Sequence, residues 1–125
     1  MATCWSIYKH YFSSKGTGWA YSQEDLAKYY GLYLELMEFW HEIYPNQIYD
    51  LGYEDLTNNQ EEETQKLLEY SELEWDQDCL NFHTNERAVH TASLIQVRKK
   101  MYQGSSEVWK QYSAHLEPLI KGLGF

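Results

Sequence analysis

The residues best suited to chemistry lie in one segment of the C-terminal third of the chain. Residues 91–100 read TASLIQVRKK, and residues 105–112 read SSEVWKQY, with two serines at the predicted start of a helix. Phosphate recognition uses hydroxyl and backbone N–H donors, a planar guanidinium and a helix N-terminus with its partial positive charge. In a chain of formal net charge −9, the densest run of positive charge lies here. The segment therefore predicts a binding site for a phosphate-type anion.

The same segment resembles the C-terminal nucleotide-binding element of sulfotransferases that use 3′-phosphoadenosine 5′-phosphosulfate (PAPS). The similarity is to the branch with bacterial tetratricopeptide-linked and tyrosylprotein sulfotransferases, in which a T-A-S-x-x-Q-V-[RK] run precedes an S-x-x-x-W helix. Further segments resemble that branch in the same order and at similar spacing, so the resemblance covers about residues 1–123. They are ATCWS at residues 2–6, YEDL at 53–56, LEWD at 73–76 and CLNFH at 79–83.

The resemblance implies a role for particular residues. Ser93 stands where tyrosylprotein sulfotransferases place a serine that stabilises charge on the transferring sulfuryl group, so it is the expected catalytic residue. Sulfuryl transfer, like phosphoryl transfer, needs donors aimed at the negative charge that develops. Ser6 corresponds to the serine that hydrogen-bonds the nucleotide 3′-phosphate, and Arg98 to the cation of the Q-V-[RK] run. The implied set for PAPS, or for its product adenosine 3′,5′-bisphosphate, is Ser6, Tyr53, Ser93, Gln96, Arg98 and Lys99.

Several positions depart from the family pattern. His10 stands where tyrosylprotein sulfotransferases carry a second arginine, and the neighbouring Lys9 offers a point charge instead of a bidentate fork. The lysines at 99–100 occupy positions where a proline usually follows the cation. Val108 precedes Trp109, where the family often has a cation.

The Gly/Ser/Thr-rich loop that holds the 5′-phosphosulfate in the family has no counterpart in this sequence. We therefore expect residues 1–125 to be a single region corresponding to the C-terminal part of a longer enzyme, without activity alone. The region would supply the 3′-phosphate and adenine side of the nucleotide site.

Each implied role has a plain structural alternative. Without the resemblance, Ser6 is better explained as a helix serine that binds nothing. Tyr53 is almost equally compatible with one more packing residue among twelve tyrosines. Arg98 can belong to a solvated basic run. The alternative function is a helical, self-associating interaction module that binds no nucleotide, and nucleotide binding distinguishes the two.

Composition excludes several classes of protein. The chain is 43% hydrophobic and 17% aromatic, which is too aromatic for a disordered segment and enough for one modest core. No apolar run approaches the roughly 20 residues of a membrane helix, and no signal-peptide pattern follows Met1. We therefore expect a cytoplasmic protein without membrane contact. An acidic pI near 4.9 argues against general nucleic-acid binding. Cys4, Cys79 and the histidines show no metal-ligand spacing.

Periodicity predicts a mainly α fold with one short strand. The resemblance implies that this is a helical C-terminal fragment of an α/β P-loop-like sulfotransferase fold, in which the strand lacks its sheet partners. The strand is predicted at Gln47–Tyr53, and residues 84–104 read as a long loop, which favours a binding role. Helices are predicted over residues 2–12, from Ser22 to Pro45, from Asn58 or Asn59, and from Ser105 or Ser106 with a restart at Pro118.

The long helix carries a broad apolar face between Leu26 and Tyr44, whose aromatic residues we expect to pack in the core. A chain this short has little material to cover such a face. We therefore expect the chain to form dimers or larger homo-oligomers.

Overall fold

The computed structural model describes residues 1–13, 15–85 and 98–125. These residues form two compact units, one made by Met1–Ile48 with Gly104–Phe125 and the other by Tyr49–Gln103. The α-helices are α1 (Ala2–Tyr8), α2 (Gln23–Ile43), α3 (Tyr53–Asn58), α4 (Gln60–Tyr70) and α5 (Glu117–Gly122); 3₁₀ geometry occurs at Gly18–Tyr21, Gln77–Cys79, Phe82–Thr84 and Ser105–His115. The mainly helical fold that the sequence predicts is confirmed.

The core of the first unit lies where α1, α2 and α5 meet. Cys4 of α1, Leu26 and Ala27 of α2, and Leu119 of α5 are buried together. The approach of α5 to α2 is close, because a Cβ added at Gly122 would lie 2.6 Å from the Cβ of Ala27. A glycine at this position therefore sets how closely the two helices pack.

Helix α2 begins and ends where its local chemistry predicts. The Ser22 hydroxyl accepts a hydrogen bond from the Asp25 backbone N–H at 3.2 Å, which satisfies one of the free donors of the first turn. The helix ends at Ile43, just before Pro45, which has no N–H to continue it. Both predicted boundaries are confirmed.

The predicted core face of α2 is only partly correct. Leu26 is fully buried, but the C-terminal half of the helix is exposed, with Leu36 51% and Ile43 52% accessible. The described elements that pack on α2 are α1, α5 and the 3₁₀ turn Gly18–Tyr21. The apolar pattern gives the face of the helix, whereas burial also depends on what else the chain places against it.

The prediction of a strand at Gln47–Tyr53 is wrong, because no strand occurs among the described residues. A strand needs a neighbour to receive its hydrogen bonds, and the described residues provide none. Tyr53 instead begins α3, where Glu54 and Asp55 favour the positive end of the helix dipole. The helix predicted after Asn58 or Asn59 is confirmed as α4. The predicted long loop falls largely on residues 86–97, outside the described residues.

The helix predicted from Ser105 is divided at Leu116. Ser105–His115 has 3₁₀ geometry and α5 follows with Pro118 in its first turn, as predicted for the restart. Leu116 and Leu119 are buried, but Val108 and Tyr112 are 37% and 43% exposed, so only part of the apolar side of this segment packs inward. The helices of the described residues include none that combines the length and the hydropathy needed to cross a membrane.

Candidate nucleotide-binding site

Ser6 lies on the exposed side of α1, next to an aromatic pair. The neighbouring Trp5 stacks on Tyr112 of the 3₁₀ segment with ring centroids 4.6 Å apart and an interplanar angle of 27°. The Lys9 ammonium lies 5.7 Å from the centroid of the Trp5 ring. A hydroxyl, a cation and a partly exposed aromatic surface therefore occur within one and a half turns of the same helix.

The chemistry of this surface fits a phosphorylated purine nucleoside. The Ser6 hydroxyl is a donor for a phosphate oxygen, and Lys9 lies three residues further along the chain, close to Ser6 on the helix surface. Tyr112 is 43% exposed, which leaves ring area for a stacked base. The indole N–H of Trp5 is buried and has no acceptor among the described residues, so it is not part of the exposed surface.

Trp5, Lys9 and Tyr112 do not belong to the set that the sequence predicts for binding. Trp5 and Lys9 lie close to Ser6 in the sequence, and this proximity could have identified them as candidate binding residues. The contribution of Tyr112 depends on a tertiary contact between distant parts of the chain, which no local pattern contains.

The second unit holds the predicted residues Tyr53, Arg98 and Lys99. Tyr53 is the first residue of α3 and is half exposed. Arg98 is half-buried, whereas Lys99 and Lys100 are exposed. Tyr53 and Arg98 each have an interaction partner, so neither side chain is free.

Two predicted residues, Ser93 and Gln96, lie outside the described residues, and their roles stay predictions. The serines predicted to open the last helix, Ser105 and Ser106, are half-buried and follow Gly104, which has a left-handed φ of 86°. Nearby, Lys110 forms an ion pair with Glu107. Its charge is therefore partly compensated within its own segment.

Acidic residues of the second unit form ion pairs on α4. Lys66 of α4 pairs with both Glu62 and Glu63, each at 2.7 Å. The hydrogen bond from Lys66 lowers the pKa of Glu62, and the two carboxylates raise the pKa of Lys66. Lys66 and Glu62 are exposed, so screening keeps the contribution of their pair to stability small, whereas the Glu63 side chain is only 14% exposed.

Metal and thiol chemistry have little support in the described part of the chain. It contains no group of three His, Cys, Asp or Glu side chains placed to hold a metal ion. Cys4 and Cys79 are free thiols, and burial raises the pKa of Cys4. A raised pKa keeps the Cys4 thiol protonated, which is the unreactive form.

Comparison with known proteins shows the family. The sulfotransferase family model matches residues 1–77, more than half of the chain. An uncharacterised protein of Aquifex aeolicus (strain VF5) is 39% identical over 118 residues, which are 93% of this chain and 16% of that relative. No solved structure matches the chain. The chain belongs to the sulfotransferase family.

The family match covers only part of the predicted motif set. Ser6, Tyr53 and the LEWD run at residues 73–76 lie inside the matched range, whereas Ser93, Gln96, Arg98 and Lys99 lie beyond it. The chain spans about one sixth of the length of the Aquifex relative. The assignment to the family thus rests on the N-terminal part of the chain, and the particular branch stays a prediction.

Proposed function

We propose that this chain carries the 3′-phosphate and adenine side of a PAPS site in a sulfotransferase. The observation that supports the proposal most directly is the surface around Ser6, where Lys9 and the Trp5–Tyr112 stack accompany an exposed hydroxyl. This surface combines the donor, the cation and the aromatic ring that a 3′-phosphorylated adenosine requires. Ser6, Trp5 and Lys9 also lie inside the range that the family model matches.

PAPS supplies an activated sulfuryl group, which an acceptor hydroxyl attacks at sulfur while adenosine 3′,5′-bisphosphate leaves. The residues of this chain act on the nucleotide and not on the acceptor. The Ser6 hydroxyl donates a hydrogen bond to the 3′-phosphate, and Lys9 adds positive charge on the same side of α1. The Trp5–Tyr112 stack offers a ring face to adenine.

The resemblance assigns further roles to residues between positions 53 and 99. The Arg98 guanidinium pairs with phosphate, with Lys99 adding charge, and Tyr53 and Gln96 contact the nucleotide. Ser93 donates to the sulfuryl oxygens as their charge grows during transfer. A base takes up the proton of the acceptor hydroxyl, and we assign this role to no residue of this chain.

The proposal is tested by calorimetric titration of the chain with adenosine 3′,5′-bisphosphate. We expect measurable binding, weakened about two- to tenfold by Ser6→Ala, since a hydrogen bond from an uncharged donor contributes about 0.5–1.5 kcal/mol. Ser113→Ala is the matched control, because Ser113 is also exposed in the first unit. Equal affinities for the two variants would remove Ser6 from the site.

A second candidate function, the self-associating module, is favoured by one specific observation. Four side chains of α2 recur at steps of four, three and four residues, the spacing of a helix–helix seam. All four are exposed: Leu32 62%, Leu36 51%, Phe39 49% and Ile43 52%. We name them the α2 stripe, and we propose that a second copy of the chain covers it.

A further inference from the structure

A pocket of about 280 Å³ opens in the first unit where α1, the 3₁₀ turn Gly18–Tyr21 and α2 meet. Its floor is formed by Cys4 and Leu26, which are each only 1% exposed. The pocket therefore extends from the surface to the edge of the hydrophobic core. Ser6 is not among the residues that line it, so the pocket is separate from the candidate nucleotide site.

The walls of the pocket are aromatic. Trp19 and Tyr29 lie parallel, with ring centroids 3.9 Å apart and an interplanar angle of 6°. Tyr30 and Tyr33 line the same space, their centroids 5.7 Å apart. Tyr29 and Tyr33 remain 48% and 49% exposed, so both keep ring surface that the chain itself does not cover.

The described residues that line the pocket include no charged side chain. Entry of a charged group would cost its hydration without a compensating partner, whereas an apolar group would gain from burial. The polar groups of the lining are the hydroxyls of Thr3 and of the tyrosines, the indole N–H of Trp19 and the thiol of Cys4. They can serve a hydrogen-bonding atom at the edge of an uncharged ligand.

We propose that this pocket binds one uncharged planar aromatic ring, of the size of phenol or indole. The volume supports this size, because apolar cavities of about 150 Å³ already accommodate benzene. Aromatic walls favour a ring over an aliphatic chain, since offset and edge-to-face ring pairs contribute beyond the area that they bury. The ring is either a free small molecule or an aromatic side chain of another protein chain.

The test uses indole as the probe and the Ile7 δ1 methyl group, which lines the pocket, as the reporter. A ring bound beside this methyl group shifts its NMR signal. We expect saturable movement of the Ile7 signal, with a dissociation constant of order 1 mM for so small a ligand. Ile43 and Ile120 do not line the pocket, and their signals should stay in place.

Variants and related ligands make the test specific. Thr3→Phe places a ring in the mouth of the pocket and should abolish the Ile7 shift. Tyr33→Ala removes a wall and should weaken indole binding several-fold, while Leu34→Ala, the exposed neighbour that does not line the pocket, should leave it unchanged. Benzoate and benzylamine, which carry a charge, should bind at least about tenfold more weakly than indole.

The two sources of the ring are distinguished by dilution. If a side chain of a second copy fills the pocket, the Ile7 signal of the free chain will move on dilution and indole will compete with self-association. If the ligand is a free small molecule, dilution will leave the signal in place. An Ile7 signal that is unmoved by indole at about 10 mM, or that moves equally in Thr3→Phe, would overturn the proposal.

Discussion

Ser6 is a single hydroxyl on a seven-residue helix, and its neighbours decide what it can bind. A lone exposed serine offers one weak donor, which water can match. Lys9 adds charge, and the Trp5–Tyr112 stack adds a surface that favours a planar base. The phosphate preference that we propose for this part of the chain is therefore a property of the group of residues and not of the serine alone.

Arg98 carries the first prediction at the residue scale. Arg98→Ala should weaken the binding of adenosine 3′,5′-bisphosphate about tenfold to a hundredfold, because a charge-assisted hydrogen bond contributes roughly 1.5–3 kcal/mol. This loss should exceed that of Ser6→Ala, and calorimetry measures both. Lys28→Ala is the control cation, since Lys28 is exposed and pairs only loosely with Asp25 at 3.4 Å. Equal effects of the two substitutions would show that only overall charge matters.

Cys4 carries a prediction about pH. Burial raises the pKa of its thiol, with the nearby N-terminal charge acting in the opposite direction. The folded state therefore holds this proton to higher pH than the unfolded chain does. The free energy of unfolding should fall as the pH rises from the unfolded thiol value of about 8.5 through the folded value.

Denaturant unfolding at several pH values between neutral and mildly alkaline measures this effect. Cys4→Ala should reduce the alkaline loss of stability, even though the cavity it leaves lowers stability at every pH. Cys79→Ala is the control, because Cys79 is also a free thiol but is less buried than Cys4. An alkaline loss that persists in full in Cys4→Ala would contradict the assignment.

At the scale of the elements, the packing of α5 on α2 depends on one glycine. A methyl group at Gly122 would lie 2.6 Å from the Cβ of Ala27, so Gly122→Ala should push the helices apart and cost about 1–3 kcal/mol of stability. Gly31→Ala is the matched control, since no atom lies within 4 Å of the added methyl group. That change should stabilise α2 by up to about 1 kcal/mol. Thermal unfolding of both variants compares them, and a neutral Gly122→Ala would show that the contact is looser.

Local chemistry explains which elements could be predicted from the sequence. Ser22 and Pro45 mark the limits of α2 because capping and the missing proline N–H act within a few residues. Pro118 marks the start of α5 for a similar reason. The strand expected at Gln47–Tyr53 had the right composition, but a strand also requires a partner, and composition does not report one.

The residues of the candidate site also differ in whether local sequence could predict them. Ser6 could be found from the order of short motifs, because a motif is local. The Trp5–Tyr112 stack could not, because it depends on the 3₁₀ segment folding back onto α1. The exposed C-terminal half of α2 agrees with the expectation that so short a chain has little material to cover the apolar face. The expected core packing of all its aromatic residues is wrong, since the apolar period of a helix does not say whether another element covers it.

At the scale of the whole molecule, the exposed α2 stripe predicts self-association. Sedimentation should show a concentration-dependent dimer, and Leu36→Glu should shift it to monomer by placing a charge in the seam. Gln65→Glu adds the same charge at an exposed position of α4 and should leave the dimer intact. Because the net charge is −9, added salt should strengthen association. A monomer at high micromolar concentration would refute this prediction.

The size of the relative places the chain in a larger context. The matching Aquifex protein is about six times as long as the matched region, so the chain corresponds to a portion of it. Membership of the sulfotransferase family rests on the match to residues 1–77, whereas nucleotide binding by this chain is our proposal.

The measurement that tests the central claim most directly compares two ligands that differ only in the position of one phosphate. Calorimetry of the wild-type chain should show tighter binding of adenosine 3′-phosphate than of adenosine 5′-phosphate. The reason is that the resemblance implies a contact with the 3′-phosphate for Ser6 and for Arg98, while the family's 5′ loop has no counterpart in this sequence. Preference for the 3′-phosphate, reduced in Arg98→Ala, would support the account. Absence of binding by either ligand, or equal binding that is insensitive to Arg98, would contradict it and leave the self-associating module as the function to pursue.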